Sequence, residues 1–218
     1  MDIDGVLKRT LATLNDDAAV GRLRAYFHGT REHSPFTGSV FETIGHHWDA
    51  DNTSNTVTAA DLLALSTLSV PVSGPATVWM LAPQNLRRTE ELLSQVPTSV
   101  DIRSALDQGT FDPGSPTNLL WTHLRKAPGF GPVSTSKLLA RKRGNLLPIW
   151  DTMVGQALGL PNSAGHWSLT AELFARDRHG LWQLCDELRE QADVDPVVSP
   201  LRIFDVVLWH TERYSEWS

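Results

Sequence analysis

Apolar residues recur along the chain at the three- and four-residue spacing of amphipathic helices. The pattern begins with Ile3, Val6, Leu7, Leu11 and Leu14, and it predicts a first helix there. Further helices are predicted over 18–27, 58–68, 83–95, 99–108, the two halves of 116–142, 151–158, 168–176, 181–191 and from residue 200 onwards. Strand-like alternation is scarce, so the pattern predicts an all-α fold.

The segment 28–57 interrupts this pattern. It is rich in Gly, Ser, Thr, His and Asp, and only 39–44 has enough apolar residues for one irregular strand. We expect a loop-rich region. Its cluster of possible metal ligands comprises His46, His47, Asp49 and Asp51, but the spacing does not match a helical ligand pair. A loop that lines a substrate pocket and a plain surface loop both remain open.

The composition indicates an ordinary water-soluble globule, with 41% hydrophobic and 20% charged residues, and we treat 1–218 as a single unit. No apolar run approaches 18 residues, and the acidic N-terminus lacks a signal-peptide core, so a cytoplasmic protein without a membrane span is expected. Cys185 is the only cysteine. This excludes an internal disulfide and a four-cysteine iron–sulfur cluster.

Positive charge is concentrated in one window of an acidic chain. The formal net charge is −6, yet residues 117–150 contain no Asp or Glu and six cations. These are Arg125, Lys126, Lys137, Arg141, Lys142 and Arg143. Such a window predicts one face that meets a polyanion such as DNA. A basic helix pair that packs on an acidic protein partner is the alternative.

The same window contains a short turn between two helical patterns. Gly129 and Gly131 can both adopt positive φ, and Pro132 suits the first position of the following helix. The segment 117–160 is therefore predicted to hold a helix-hairpin-helix. The backbone N–H groups of its second helix would point at an anion such as a backbone phosphate.

These residues resemble the helix-hairpin-helix DNA glycosylase superfamily, which includes endonuclease III. The resemblance lies in Pro-Gly-Phe-Gly at 128–131 and in Leu-Pro-Ile-Trp-Asp-Thr-Met-Val at 147–154, and it covers about a fifth of the chain. It places the catalytic carboxylate of that superfamily on Asp151, its Schiff-base lysine on Val133 and the His of its Asp-Thr-His motif on Met153. The wider sequence also resembles an uncharacterised bacterial family.

The resemblance implies a two-lobed, all-α glycosylase-like fold and a monofunctional enzyme that hydrolyses the N-glycosidic bond of a base in duplex DNA. Asp151 would stabilise the charge at the sugar or orient a water. The implied DNA-binding residues are Gly129, Phe130, Gly131, Val133, Ser134, Lys137, Arg141 and Arg143. A monovalent cation held by the carbonyls of Gly129 and Gly131 is also implied. No other cofactor is expected.

Each of these roles has a structural alternative. Asp151 is also a good helix N-cap. Trp121 and Trp150 are candidates for a flat pocket around an extruded base, but most tryptophans are core anchors. Lys137 could face a phosphate, lie in solvent or act as a substitute amine nucleophile. At the level of function, the alternatives are a non-catalytic DNA-binding module and a protein-interaction adaptor.

Overall fold

The structure is a computed structural model, and it describes residues 1–45, 53–176 and 180–214. These residues form eleven α-helices and two 3₁₀ helices, and no β-strand occurs among them. The helices are α1 (Ile3–Leu14), α2 (Ala19–Phe27), α3 (Ala59–Thr67), α4 (Gly74–Leu81), α5 (Pro83–Ser94), α6 (Pro116–Leu124), α7 (Pro132–Lys142), α8 (Thr152–Ala157), α9 (His166–Arg176), α10 (Gly180–Gln191) and α11 (Pro200–Tyr214). The 3₁₀ helices are Thr37–Val40 and Ile102–Ser104. The predicted all-α class is confirmed.

Local chemistry at the helix starts agrees with the sequence. Thr58 and Asp61 form a complete capping box at α3. Ser115 caps α6 by accepting the N–H of Asn118 at 3.2 Å. Pro116 and Pro132 occupy the first positions of α6 and α7, where a missing N–H costs no hydrogen bond. These starts could be read from the sequence because each depends on neighbours within three residues.

Three segments differ from the sequence prediction. Helix α4 was not expected, because Gly74 and Pro75 read as breakers, but Pro75 lies in the first turn and Ser73 caps the helix. The segment 99–108 forms only the short 3₁₀ helix Ile102–Ser104 and turns. No strand forms at 39–44, where the 3₁₀ helix ends in turns. His46, His47, Asp49 and Asp51 lie outside the described residues.

The buried side chains form two main apolar clusters. One joins α1 and α2 to α8–α11, and the other is built from α3–α7 and the segments between them. The expected packing of the N-terminal segment on the C-terminal helices is confirmed, because α11 contacts both α1 and α2. Helix α11 is buried from Pro200 to Leu208 without a break. It is therefore the central element of the first cluster.

None of the helices in the described part of the chain combines the length and the apolar character that crossing a membrane requires.

Candidate active site

The turn between α6 and α7 (residues 125–131) uses its two glycines differently. Gly129 has φ of 79°, in the left-handed region that favours glycine. Gly131 has φ of −86° and ψ of −177°, which is extended backbone that any residue can adopt. The expectation of positive φ at Gly131 is therefore wrong. Gly131 is instead the N-cap of α7, and no side chain caps that helix.

The predicted DNA-binding residues of this turn differ in exposure. Gly129 is exposed, and Gly131, Val133 and Ser134 are half-buried. Phe130 is only 6% exposed and belongs to the apolar cluster of α3–α7, so a direct contact of its ring with DNA is excluded in this conformation. The uncapped first turn of α7 remains accessible, and its N–H groups lack partners within the helix.

A cation at the glycine carbonyls has limited support. The carbonyl of Gly131 already accepts the N–H of Thr135 at 3.1 Å. No group of three or more His, Cys, Asp or Glu side chains suited to a metal ion occurs in 1–45, 53–176 and 180–214. The carbonyl cation therefore stays a prediction.

Arg143 does not form part of a basic surface. It is 3% exposed, and burial lowers the pKa of its guanidinium to about 10. Its nitrogens donate hydrogen bonds of 2.6–2.8 Å to the carbonyls of Leu93, Val96, Ser54 and Lys142 and to the side chain of Asn55. Arg143 thus joins the end of α7 to the end of α5 and to residues 54 and 55.

Arg141 and Lys142 are bonded within the protein in a similar way. Their side chains are each 6% exposed and both contact Asp61, which is 2% exposed: Nε of Arg141 lies 3.4 Å from Oδ1, and Nζ of Lys142 lies 2.6 Å from Oδ2. Arg141 also donates to the carbonyls of Phe41 and Ile44. These groups line a cavity of about 420 Å³ and satisfy one another there.

Arg141 and Arg143 therefore do not belong to an exposed basic face in this conformation, because their side chains are buried and hydrogen-bonded within the protein. Their role in DNA binding stays a prediction. Lys137 is also only 5% exposed, so it is not a solvated lysine. The cations of the window that remain exposed are Arg125 and Lys126, beside the end of α6. They lie where the chain enters the turn that leads to the uncapped start of α7.

Asp151 combines the cap with a second contact. Its Oδ1 accepts the N–H of Met153 at 3.1 Å and caps α8. Its Oδ2 lies 3.4 Å from Nζ of Lys137, which also donates to the carbonyl of Leu68 at 3.0 Å. The Asp151 side chain is 25% exposed and that of Lys137 is 7% exposed. The carboxylate is therefore partly accessible, with the ammonium group of Lys137 behind it.

Asp151 and Lys137 lie in the wall of a cavity of about 360 Å³, called here the Asp151 cavity. Helices α2, α7, α8 and α11, the 3₁₀ helix Thr37–Val40 and the chain after α3 surround it. Val133, in the first turn of α7, also lines it. The accessible helix start and the carboxylate are therefore parts of one connected site.

A second charged network forms the floor of the Asp151 cavity. Arg202 pairs with Asp205 on α11, donates to Oη of Tyr26 at 2.6 Å and lies 3.2 Å from Glu42. Arg202, Asp205 and Tyr26 line the cavity, and Arg202 and Asp205 are 6% and 4% exposed. Buried ionic groups of this kind need several partners to offset their lost hydration.

Burial changes the pKa of Asp205, the second carboxyl group in the wall of the cavity. The pKa of Asp205 is raised to about 6, chiefly by burial and also by the charge of Asp151, whereas Arg202 and Lys137 oppose the shift. Oδ1 of Asp205 has no hydrogen-bond partner in the described part of the chain. Asp205 therefore takes up a proton at a higher pH than an ordinary aspartate does, and it lies in the same cavity as Asp151, an arrangement that suits acid–base chemistry.

Sequence reasoning found Asp151 and Lys137 but missed Arg202, Asp205 and Tyr26. One signal was present: Arg202 and Asp205 are opposite charges three residues apart inside the otherwise apolar run 201–208. On a buried helix that spacing places an ion pair on one face. Tyr26 gave no such signal, because only the folded chain brings α2 to α11.

The two tryptophans proposed for a base pocket lie elsewhere. Trp121 and Trp150 line a separate cavity of about 380 Å³, and none of its lining residues lines the Asp151 cavity. Trp150 is 8% exposed and lies against Gly155, where a Cβ would meet its ring at 2.4 Å. The structure therefore does not bring these rings and the Asp151 carboxylate into one pocket.

Comparison with curated proteins and with solved structures finds no match for this chain. A family model matches residues 19–212, which include every lining residue of the Asp151 cavity named by the structure except Arg213. No comparison links the chain to the helix-hairpin-helix glycosylases. The chain belongs to the family of unknown function DUF6308.

Proposed function

We propose that this protein binds DNA through α6 and α7, as a helix-hairpin-helix, and hydrolyses an N-glycosidic bond in the Asp151 cavity. The observation that carries the proposal is the connection between the two parts. The accessible, uncapped start of α7 and the Asp151 carboxylate line the same cavity, through Val133. A phosphate held at the helix start would place the neighbouring sugar beside the carboxylate.

Three charged groups of the cavity, those of Asp151, Lys137 and Asp205, have distinct roles in this proposal. Asp151 stabilises the positive charge that grows on the sugar as the bond from C1′ to the base breaks. Lys137 is a positioning residue, because its contact with Oδ2 holds the carboxylate in place. Val133 stands where the resemblance places the Schiff-base lysine, so no Schiff base is expected.

The leaving base takes the bonding electron pair and needs a proton. Asp205, with its raised pKa and its unpartnered Oδ1, is the group of the cavity suited to donate one. A water then adds to C1′ and releases a proton to solvent. The products are a free base and an intact strand with an abasic sugar.

The test is a panel of duplexes that carry different damaged or modified bases, incubated with the protein and then treated with alkali to cut abasic sites. We expect strand cleavage only after alkali and no covalent complex with borohydride. Asp151→Asn should abolish base release and preserve binding, because it keeps the capping oxygen and removes the charge. Asp2→Asn is the matched control, since Asp2 caps α1 through a similar bond to Gly5.

The results distinguish the alternatives. Binding without release of any base would favour a non-catalytic DNA-binding module. No binding at about 50 mM salt, where phosphate contacts are strong, would remove the nucleic-acid proposal and favour a protein-interaction adaptor. A complex trapped by borohydride would identify an amine nucleophile and contradict the positioning role of Lys137.

A further inference from the structure

The cavity of about 380 Å³ that contains Trp121 and Trp150, called here the aromatic cavity, has no role in the proposed function. It lies between α6, the start of α9 and the chain before α9. Four aromatic side chains line it, and their neighbours in the wall are polar but uncharged. The lining includes Phe111, Asn118, Trp121, Trp150, His166 and Trp167. Its volume is within the range of small-molecule sites.

The rings of the aromatic cavity pack against one another and are only partly covered by protein. Trp121 and Trp167 pack edge to face, with centroids 5.0 Å apart and planes at 79°. Phe111 lies 5.7 Å from Trp167 at 39°. All three are half-buried, so part of each ring is not covered by protein. Open ring faces held in fixed positions are suited to stacking on a flat ligand.

His166 is the second, independent feature of this cavity. It is 2% exposed, packs against Trp150 with centroids 5.3 Å apart, and neither ring nitrogen has a hydrogen-bond partner among the described residues. Burial lowers the pKa of His166 to about 4, so the ring is neutral at physiological pH. It then offers one N–H donor and one nitrogen acceptor. Buried groups without partners are costly, and a ligand would satisfy one of them if a small rotation of the ring turned that nitrogen, which solvent does not reach here, towards the cavity.

The charge of the wall narrows the class of ligand. Within 1–45, 53–176 and 180–214, no Asp, Glu, Lys or Arg lines the aromatic cavity, in contrast to the Asp151 cavity. A quaternary ammonium ligand would find aromatic faces but no carboxylate, and an anion would find no cation. An uncharged ring that stacks and also carries hydrogen-bonding nitrogens matches both features of the wall.

We propose that the aromatic cavity is a binding site for an uncharged planar nitrogen heterocycle, which stacks against Trp121 or Trp167 and hydrogen-bonds to His166. Two sources share this chemistry: a free heterocycle, and a base presented by a nucleic acid strand. The proposal does not depend on the chemistry proposed for Asp151, because no residue is common to the two cavities.

The first test compares two probes of the same shape, benzimidazole and indene. Benzimidazole carries a ring N–H and a ring nitrogen acceptor, whereas indene carries neither. Calorimetric titration of the parent protein should show about ten-fold or greater preference for benzimidazole, the ratio that one buried hydrogen bond supplies. Equal affinity for the two probes, or no binding of benzimidazole at millimolar concentration, would overturn the proposal.

Variants then locate the site. His166→Phe keeps a flat ring and removes both nitrogens, so the preference for benzimidazole should disappear and the melting temperature without ligand should rise. His166→Gln, which keeps a donor and an acceptor, should retain part of the preference. His123→Phe is the matched control, because His123 is buried outside this cavity and its Nε2 has partners in Thr89 and Asn85. An unchanged preference in His166→Phe would show that binding occurs elsewhere.

A second pair of variants tests stacking. Trp167→Leu should weaken benzimidazole binding about ten-fold, since stacking on an aromatic ring contributes at this level. Trp182→Leu, which changes a ring that packs on Phe174 away from the cavity, should bind as the parent does. Equal losses in both variants would indicate a general effect on the fold and would contradict the assigned contact.

The last arm separates the two sources. Adenine and cytosine are titrated as free bases and as the bases of a short single-stranded oligonucleotide. Tighter binding of the oligonucleotide, lost in Trp167→Leu, would assign the cavity to a base of a nucleic acid. Binding of the free bases that the oligonucleotide does not displace would assign it to a free heterocycle. If neither the free bases nor the oligonucleotide bind, and benzimidazole does not bind either, the proposed site is overturned. The proposed glycosidic chemistry would be unaffected by this result.

Discussion

Arg143 carries one positive charge and five N–H donors into the interior, and its donors meet four backbone carbonyls and the side chain of Asn55. The charge is tolerated because the carbonyl dipoles replace the water that burial removes. The same contacts hold the ends of α5 and α7 together. A residue that counts as a surface cation in the sequence is therefore a structural element of the second apolar cluster.

We predict that Arg143→Met destabilises the protein by about 3 kcal/mol or more, because it leaves several buried carbonyls without donors. Arg125→Met should change the free energy of unfolding by less than about 0.5 kcal/mol, since Arg125 is exposed. Urea titration of both variants measures the difference. Similar stabilities would contradict the structural role of Arg143.

The burial of His166 makes the stability of the folded protein depend on pH. Burial lowers its pKa from 6.5 to about 4, so the folded protein binds fewer protons at this residue than the unfolded chain. The stabilisation from the neutral ring is complete above pH 6.5 and is lost as the pH falls towards 4. Asp205 acts in the opposite direction, because its raised pKa favours the folded state at low pH and disfavours it as the pH rises to about 6.

The two effects overlap in the parent, so the informative quantity is a difference between variants. Relative to His166→Phe, the parent should lose about 3 kcal/mol of stability between neutral pH and pH 4, the equivalent of its shift in pKa. Chemical denaturation of both proteins across this range measures the loss. A constant difference over the range would show that folding does not change the pKa of His166.

The same residues show how far the sequence could predict the site. Asp151 was predictable as a helix cap, because the cap and the apolar segment before it lie within a few residues of each other. The burial of Arg141, Lys142 and Arg143 was not, because charge counts contain no information on exposure, and Asp61 lies about eighty residues away in the chain. Asp205 was missed for the same reason, since only folding places α11 behind α8.

At the scale of elements, the start of α7 is the feature on which the proposed DNA contact depends. Gly131 provides extended backbone but no capping oxygen, and Pro132 provides no N–H. The N–H groups of the first turn are therefore left for water or an anion. Helix α5 begins in a similar way, with Ala82 as N-cap, Pro83 at the first position and no side-chain cap. The two helices form a natural pair for comparison.

We predict that Gly131→Asp stabilises the protein by about 0.5–1 kcal/mol and weakens DNA binding. The new carboxylate should cap α7, and among the described residues no atom beyond the adjacent ones in the chain lies within 4 Å of a Cβ built at this glycine. It would cover the N–H groups and repel phosphate. Ala82→Asp should give a similar gain in stability at α5 with unchanged DNA affinity. Thermal unfolding and fluorescence anisotropy measure the two effects, and equal DNA affinity of both variants would exclude the start of α7 as the phosphate site.

At the scale of the whole molecule, most of the cations that DNA binding would need are used for bonds within the fold. The net charge of −6 disfavours approach to DNA, and four of the six cations in 117–150 form internal bonds. Internal pairing holds α7 in contact with α3 and α5 and orients Asp151 within its cavity. The cations left for a phosphate backbone near the site are few: Arg125 and Lys126 beside the turn, and Arg213 in the cavity wall.

This distribution predicts a weak salt dependence of DNA binding. With two or three phosphate contacts, the slope of log K against log salt should be about −2 to −3, since each contact contributes about −0.9. Six exposed cations would give about −5 by the same relation.

Arg125→Gln with Lys126→Gln should bring the slope close to −1. The control pair, Lys8→Gln with Arg9→Gln, removes two exposed cations from α1 and should leave the slope unchanged. Anisotropy titrations from about 20 to 150 mM salt, a range across which phosphate contacts are measurably screened, give the slopes. A slope near −5 in the parent would mean that the buried cations reach the DNA after all, and it would require α7 to release its contacts with Asp61 and with the carbonyls around Arg143.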